Sequence, residues 1–182
     1  MERPAQRGDE LFDIVDGEDR VVGQATRAEV HAQGLWHRAV HILVFDASGR
    51  FLLQRRSRHK DTFPGTWTTS CAGHLDSGED YAGAAIRELA EEVGVGARPG
   101  DLMDLGKSPP SPETGWEWIR VYAIVYNGFV AAEPAEVAEL RWVEPEELDQ
   151  WMKGSPNDFA PSFRLVWHQY AWGFRNQTGI QP

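Results

Sequence analysis

Three glutamates near the middle of the chain have the spacing of a metal-binding group. Glu88, Glu91 and Glu92 stand at offsets of zero, three and four, so a helix would place all three carboxylates on one face. Like charges at these spacings repel, which calls for free exposure to water or a compensating cation. Mg²⁺ or Mn²⁺ would suit the site, because these ions bind carboxylates and keep positions for phosphate oxygens. A solvated acidic face is the alternative, since charge runs are common on helices.

The apolar residues between these glutamates predict the helix that carries them. Across residues 79–93, apolar side chains recur at spacings of three and four, which is helical periodicity. They are Ala82, Ala85, Ile86, Leu89 and Val93. Gly94 is a suitable C-terminal stop for this helix.

Strand patterns precede the helix. Residues 11–15 and 20–24 alternate between apolar and polar side chains and are joined by turn residues, which predicts an N-terminal β-hairpin. The apolar runs at residues 40–45 and 51–54 predict a second hairpin. Residues 66–71 are rich in β-branched side chains and predict one further strand.

Strands and helices also follow the central helix. Residues 118–126 and 140–143 predict two strands. Pro145, followed by acidic residues, opens a helix, and residues 161–174 predict a last amphipathic helix. The order of elements indicates an α+β fold in α/β/α layers.

Length and composition restrict the class of protein. The chain has 182 residues, of which 41% are hydrophobic, so one core of ordinary size can form. We expect one domain over residues 10–176, with flexible ends at residues 1–9 and 177–182. The 28 acidic against 18 basic residues give a net charge of −10, which argues against nucleic acid as a partner. The absence of a long apolar segment argues against a membrane partner, and with the single cysteine it favours a cytoplasmic location.

A longer pattern surrounds the three glutamates. Gly73, Glu79 and the segment 87–95 reproduce every fixed position of the Nudix box, a pattern of 23 residues. The sequence therefore resembles the Nudix superfamily. The resemblance implies an α/β/α sandwich with a mixed sheet, here extended by the N-terminal hairpin. It also implies an enzyme that cleaves the diphosphate linkage of a small molecule by attack of water at phosphorus.

The resemblance assigns roles to residues of the box. It implies that Glu88 and Glu92 are the main ligands of Mg²⁺ or Mn²⁺, that Glu91 contributes, and that the Gly73 carbonyl lies near the ion. Arg87, together with the box glutamate at position 79, is expected to brace the loop against the helix.

The catalytic groups are less defined than the metal ligands. Glu91 and Glu92 are the expected catalytic residues of the box. For the general base that activates water, Glu91, Glu117 and Glu136 are alternatives, and the sequence does not rank them.

Flanking segments are similar to the isopentenyl-diphosphate isomerase branch of the superfamily. The similarity runs through residues 23–27, 37–39, 54–56 and 63–67 and the pair Gly73-His74. It implies a second divalent metal site and a cationic clamp for the substrate diphosphate. The matching residues are His31, His37, His74 and Glu117 for the metal, and Arg27, Arg56 and Lys60 for the diphosphate.

Two departures from that branch concern its chemistry. The isomerase motif has a proton-carrying cysteine directly before the Gly-His pair, where this chain has Ala72, and Cys71 stands one residue early. A one-residue offset in a strand turns a side chain to the opposite face. Ser162 replaces the tryptophan that stabilises the developing cation in the isomerases. These departures favour hydrolysis, and the alternatives are an isomerase or a non-catalytic diphosphate-binding module.

Overall fold

The computed structural model describes residues 7–174, and within them it places nine strands and four helices. The strands are β1 (Leu11–Val15), β2 (Val21–Thr26), β3 (His37–Phe45), β4 (Phe51–Arg56), β5 (Trp67–Thr68), β6 (Cys71–His74), β7 (Met103–Ser108), β8 (Glu117–Val125) and β9 (Val137–Val143). The helices are α1 (Arg27–Gln33), α2 (Tyr81–Val93), α3 (Pro145–Gly154) and α4 (Pro161–Val166), and α4 continues into a π-helical turn over Trp167–Ala171. No helix among these described residues is long and apolar enough to cross a membrane.

The expected flexible ends lie mostly outside the described residues, as does the expected domain limit at residue 176. At the near edge, the Gly8 carbonyl accepts a hydrogen bond of 3.1 Å from the Ala28 amide. Residues directly before β1 therefore contact α1.

A mixed sheet of seven strands forms the centre of the fold. Its main order is β5-β4-β3-β8-β7, with β6 paired to β3 and β9 paired to β4. Strands β3 and β8 run parallel along their whole length, whereas the other neighbours are antiparallel. Strands β1 and β2 form the predicted hairpin as a separate two-stranded sheet.

Alternation along β3 shows how the layers are built. Leu43 and Phe45 belong to an apolar cluster with α3 and α4, whereas Ile42 and Val44 belong to a second cluster with α2. All four side chains are fully buried. Helices therefore cover both faces of the sheet, which confirms the α/β/α sandwich.

Asp19, in the turn between β1 and β2, attaches the hairpin to the domain. Its carboxylate accepts hydrogen bonds from Arg38 Nε at 2.7 Å, Tyr81 Oη at 2.9 Å and Lys107 Nζ at 2.8 Å. These donors come from β3, α2 and β7. Asp19 has a φ of 60°, and its buried contacts offset the cost of that conformation.

The single strand predicted over residues 66–71 is wrong. The chain bends at Thr69 and Ser70, which separate β5 from β6. The Ser70 hydroxyl donates to the Leu52 carbonyl at 2.5 Å and accepts from the Val44 amide at 2.9 Å. A side chain thus bonds backbone groups of β3 and β4 where strand pairing stops, and propensity could not reveal this.

Two elements were missing from the sequence-based prediction. Helix α1 begins at a capping box, in which Thr26 and Glu29 bond each other's backbone amides. Strand β7 pairs with β8 and contains Gly106, whose φ is 130°. The predicted second hairpin exists only at its turn, because β4 meets β3 at Phe51 and then pairs with β9.

Candidate active site

Helix α2 presents the three glutamates, here called the carboxylate cluster (Glu88, Glu91 and Glu92). The helix begins at Asp80, whose carboxylate accepts from the Gly83 amide at 2.7 Å, and ends at Gly94 with a φ of 68°. The side chain of Glu91 is 57% exposed, whereas those of Glu88 and Glu92 are 12% and 4% exposed. Two carboxylates of the cluster are therefore largely removed from water.

Glu92 is bound by three donors from different parts of the fold. Its carboxylate accepts from Gln54 Nε2 at 2.9 Å, from the Ala72 amide at 3.3 Å and from Lys60 Nζ at 3.3 Å. Lys60 also forms an ion pair with Glu136. The positive charge that the sequence assigned to substrate binding thus lies between two carboxylates.

Glu88 packs against the backbone of β6 at Gly73. A Cβ at Gly73 would lie 2.0 Å from Glu88 Oε1, so only glycine leaves room for this carboxylate. Burial, and then the negative charge of Glu92, raise the pKa of Glu88 to about 7, although Arg87 opposes the shift. The chain holds two carboxylates together at a cost that a divalent cation would remove.

Arg87 connects this helix to the preceding loop. Its Nε and Nη2 donate to the two carboxylate oxygens of Glu79 at 3.0 and 2.8 Å, and Nη2 also donates to the His74 carbonyl at 3.0 Å. Nη1 donates to Glu88 at 2.7 Å. The guanidinium therefore fixes loop, strand and carboxylate together.

These observations test whether the donors fit a divalent metal. Buried, crowded carboxylate oxygens beside a glycine backbone are the hard ligands that Mg²⁺ and Mn²⁺ use. The raised pKa of Glu88 shows that its negative charge lacks sufficient compensation from the protein alone. The carboxylate cluster fits such an ion.

A second group of candidate ligands, here called the histidine cluster (His31, His37 and His74), comes from α1, β3 and β6. One nitrogen of each ring lies within 4.8 Å of the others. Glu117 of β8 accepts from His74 Nε2 at 2.9 Å and lies 3.6 Å from His37 Nε2. The ring of Phe12, on β1, stacks on His37 with centroids 5.7 Å apart. The structure therefore brings together the four residues predicted for a second metal.

The hydrogen bonds of this cluster define which nitrogens hold a lone pair. His37 Nδ1 donates to the Leu35 carbonyl at 2.9 Å, which leaves Nε2 buried and without a hydrogen-bond partner in the described part of the chain. His74 Nδ1 accepts from Arg27 at 3.1 Å, so Nε2 carries the proton donated to Glu117. The lone pair on His37 Nε2 is therefore open to a metal, whereas Arg27 occupies the lone pair on His74 Nδ1.

Electrostatics favour the neutral form of His31 and His74 in the histidine cluster. Burial lowers the pKa of His74 to about 3, and burial followed by the charge of Arg27 lowers the pKa of His31. Burial raises the pKa of Glu117, but the neighbouring His37 and the hydrogen bond from His74 outweigh it, so the pKa lies well below its usual range. Neutral imidazoles around one carboxylate fit a divalent ion with nitrogen ligands.

The carboxylate cluster lines one cavity of about 430 Å³ together with His31, His74 and Glu117, a size ordinary for small-molecule sites. Arg27, Arg56 and Lys60 also line it. Arg27 is buried and its Nε makes no hydrogen bond within the described residues, whereas Arg56 donates from Nε to the Thr62 carbonyl at 2.9 Å. Three cationic side chains therefore line the same cavity as the candidate metal ligands.

Cys71 and Ala72 are neighbours on β6, and their side chains lie in different surroundings. Cys71 is fully buried in the apolar cluster beneath α2, where burial raises the pKa of its thiol. Ala72 lines the cavity, as does Ser162. Cys71 does not line the cavity, yet its Sγ lies within 4.8 Å of carboxylate oxygens of Glu88 and Glu92.

Sequence reasoning did not assign a role to two polar residues at the site, Gln54 and His41. Gln54 bonds Glu92, and His41 lines the cavity from β3. A signal for His41 existed, because residues 37, 39 and 41 share one face of a strand. Gln54 lies in the segment 54–56 that resembles the isomerase branch, but its bond to Glu92 depends on tertiary contact and was not predicted.

Fold and site together define the class of protein. A family model described as the NUDIX domain matches residues 35–163, and the chain belongs to the Nudix family. Members of this family generally use divalent metal ions, and its hydrolases act on diphosphate linkages.

Particular relatives refine this assignment. The chain is 34% identical over 160 residues to an isopentenyl-diphosphate Delta-isomerase of Burkholderia multivorans, covering 87% of this chain and 91% of that protein. It is 37% identical over 139 residues to an uncharacterized Nudix hydrolase of Yersinia pestis, covering 76% and 75%. A crystal structure from Deinococcus radiodurans matches with a TM-score of 0.68 and 28% identity, covering 80% and 90% of the two chains.

Proposed function

We propose that the protein is a Mg²⁺- or Mn²⁺-dependent hydrolase that cleaves a diphosphate linkage in a small nucleoside- or other diphosphate compound. Water attacks phosphorus in this reaction. The observation that carries the proposal is the pair Glu88 and Glu92, buried side by side with too little positive charge to balance them.

The residues of the cavity have two proposed roles, which are to hold the metal ion and to bind the phosphate oxygens of the substrate. Glu88, Glu92 and the Gly73 carbonyl would hold the ion, with Glu91 contributing. The bound ion supplies positive charge to the diphosphate and lowers the pKa of a water. Arg27 and Arg56 hold phosphate oxygens, and Lys60 adds a third positive charge beside the carboxylate cluster.

Glu91 is the proposed general base. Its carboxylate is the most exposed of the cluster and lines the cavity, so it can meet a water there. Glu91 accepts one hydrogen bond of 3.3 Å from Arg87, whereas Glu117 accepts a closer one of 2.9 Å from His74 and Glu136 pairs with the buried Lys60.

The histidine cluster and Glu117 are proposed to bind a second divalent ion. Support comes from the unpartnered lone pair of His37 Nε2 and from the lowered pKa values of His31 and His74. Arg27 occupies the lone pair of His74 Nδ1, so an ion bound there would compete with this guanidinium.

An isomerase acting on isopentenyl diphosphate is the second candidate. The histidine cluster favours it, and so does the relative of that name that covers most of both chains. Ala72 and Ser162 disfavour it. The methyl group of Ala72 cannot carry the proton that the cysteine of the isomerases carries. The hydroxymethyl group of Ser162 has no aromatic face to stabilise a cation as tryptophan does.

One experiment separates the two functions. The protein is incubated in D₂O with Mg²⁺ or Mn²⁺ and a panel of nucleoside, sugar and isoprenoid diphosphates, and products are followed by ³¹P and ¹H NMR. We expect new phosphate products from at least one compound and no deuterium in the carbon skeleton of isopentenyl diphosphate. Metal-dependent deuterium incorporation without phosphate release would establish the isomerase instead.

A further inference from the structure

His41 presents an unused nitrogen to the cavity. The residue is 4% exposed, and its Nδ1 lies 3.1 Å from the hydroxyl oxygen of Thr69. The same hydroxyl lies 3.2 Å from the Cys71 carbonyl, which can only accept. The arrangement that satisfies both contacts has Thr69 donating to this carbonyl and accepting from His41, which places the imidazole proton on Nδ1 and the lone pair on Nε2.

The position of Nε2 points to a ligand. His41 lines the cavity, and its Nε2 has no hydrogen-bond partner among the residues that the structure describes. Nε2 of His41 is also not one of the fully buried, unpartnered atoms of the described residues, so it is accessible to a bound molecule. A nine-tenths buried side chain with an accessible lone pair is suited to accept a hydrogen bond from a bound molecule.

Small side chains leave this nitrogen reachable. His41 stands directly opposite Ala72 in the pairing of β3 with β6, and the Ala72 amide donates to Glu92. Thr68 and Ser162 line the same cavity. We call His41, Thr68, Ala72 and Ser162 the polar recess, and it adjoins the carboxylate cluster through Ala72.

Charge supports an accepting role for the ring. Burial lowers the pKa of His41 to about 4, against the opposing effect of Glu117. The imidazole is therefore neutral at neutral pH and keeps its lone pair.

We propose that the polar recess binds the organic group of the diphosphate substrate, and that His41 Nε2 accepts a hydrogen bond from a hydroxyl or amine on that group. This inference rests on the proposed function and adds a specificity-determining residue to it. A hydrocarbon group would cover the lone pair without bonding it, and leaving a buried acceptor unpaired disfavours binding by about tenfold or more.

The wild-type protein tests the inference with matched probes. Butyl diphosphate is compared with 2-, 3- and 4-hydroxybutyl diphosphate in kcat/KM with Mg²⁺. Binding of their methylene-bridged, non-hydrolysable analogues is measured by calorimetry. We expect at least one hydroxylated compound to be preferred by about tenfold or more in both measurements. Equal or better use of butyl diphosphate would overturn the inference.

Variants assign the preference to one atom. His41→Leu removes the acceptor, and we expect the ratio between hydroxylated and plain compounds to fall to about one. His41→Gln keeps a polar group at the end of the side chain and should retain most of the ratio. His168→Leu, at an exposed histidine, is the matched control and should leave the ratio unchanged. A ratio that survives in His41→Leu would overturn the assignment to His41.

The two readouts also separate this inference from the proposed function. Preferential binding of hydroxylated analogues without any hydrolysis would support the recess and count against the hydrolase. Hydrolysis of the whole series without preference would support the hydrolase and overturn the recess.

Discussion

The carboxylate cluster lines the same cavity as His31 and His74 of the histidine cluster, yet the chain builds the two clusters in different ways. All three carboxylates come from α2 and face together as soon as that helix forms. The histidines come from α1, β3 and β6, and they meet only after the sheet has paired and β1 has placed Phe12 against them. One candidate site is local in the sequence, and the other is a product of tertiary structure.

The two clusters also differ in how far neighbouring protein groups balance their charge. The carboxylate cluster retains excess negative charge, since the pKa of Glu88 is raised by burial and by Glu92. In the histidine cluster, His74 donates to an ionised Glu117. A bound cation would therefore balance more excess charge in the first arrangement than in the second, which is why we assign the chemical step to the carboxylates.

The largest effect should follow from removing a charge from the carboxylate cluster. Glu88→Gln and Glu92→Gln preserve size and each remove one ligand charge, so we expect kcat to fall by about 100-fold or more. Steady-state kinetics at saturating Mg²⁺ measure this, with Glu18→Gln, at an exposed turn residue, as control. Near wild-type turnover in either variant would remove that residue from the metal ligands.

The second prediction concerns pH and the affinity for Mn²⁺. At pH values between the usual pKa of a glutamate and the raised pKa of about 7, Glu88 carries a proton. An ion that binds there must displace this proton. We expect the affinity to rise about tenfold per pH unit up to about pH 7 and then to level off. Calorimetric titration at several pH values measures this, and an affinity without pH dependence would contradict the assignment of Glu88.

Stability of the metal-free protein gives an independent check on Glu88. Its pKa is raised in the folded state, so its contribution to stability is present at acidic pH and is lost as pH rises through about 7. Glu88→Gln stays neutral, and the variant should therefore gain in Tm relative to wild type as pH rises from 5 to 8. A constant difference in Tm would show that Glu88 does not titrate in this range.

The smallest effect is expected from the histidine cluster. His37→Ala removes the open lone pair, and we expect the number of tightly bound divalent ions to fall from two to one. KM for the diphosphate should rise by about tenfold while kcat changes little, because this ion helps to bind substrate rather than to activate water. His59→Ala, at an exposed histidine, is the control. A fall in kcat as large as that of Glu92→Gln would erase the distinction between the clusters.

The same distinction explains what the sequence revealed. Helix α2 and its cap at Gly94 follow from periodicity, and the box around Gly73 identified the carboxylates. The sandwich follows from the order of strands and helices, and the family match confirms it. Patterns that lie within one stretch of chain were therefore readable.

Features that depend on distant partners were not readable. Ser70 divides a predicted strand because its hydroxyl bonds Leu52 and Val44, which are 18 and 26 residues away. Lys60 was expected to meet substrate, and its pairing with Glu92 and Glu136 depends on a loop whose course the sequence does not define. These contacts arise from the three-dimensional arrangement rather than from propensity.

The contacts of Asp19 define how short an expressed version of this protein can be. The family match begins at residue 35, after the hairpin that contains Asp19. A fragment starting there would leave Arg38, Tyr81 and Lys107 without their shared acceptor and would remove Phe12 from beside His37. For protein engineering, the unit to express is therefore larger than the segment that the family model matches, and the hairpin must be carried along in any domain transplant or fusion.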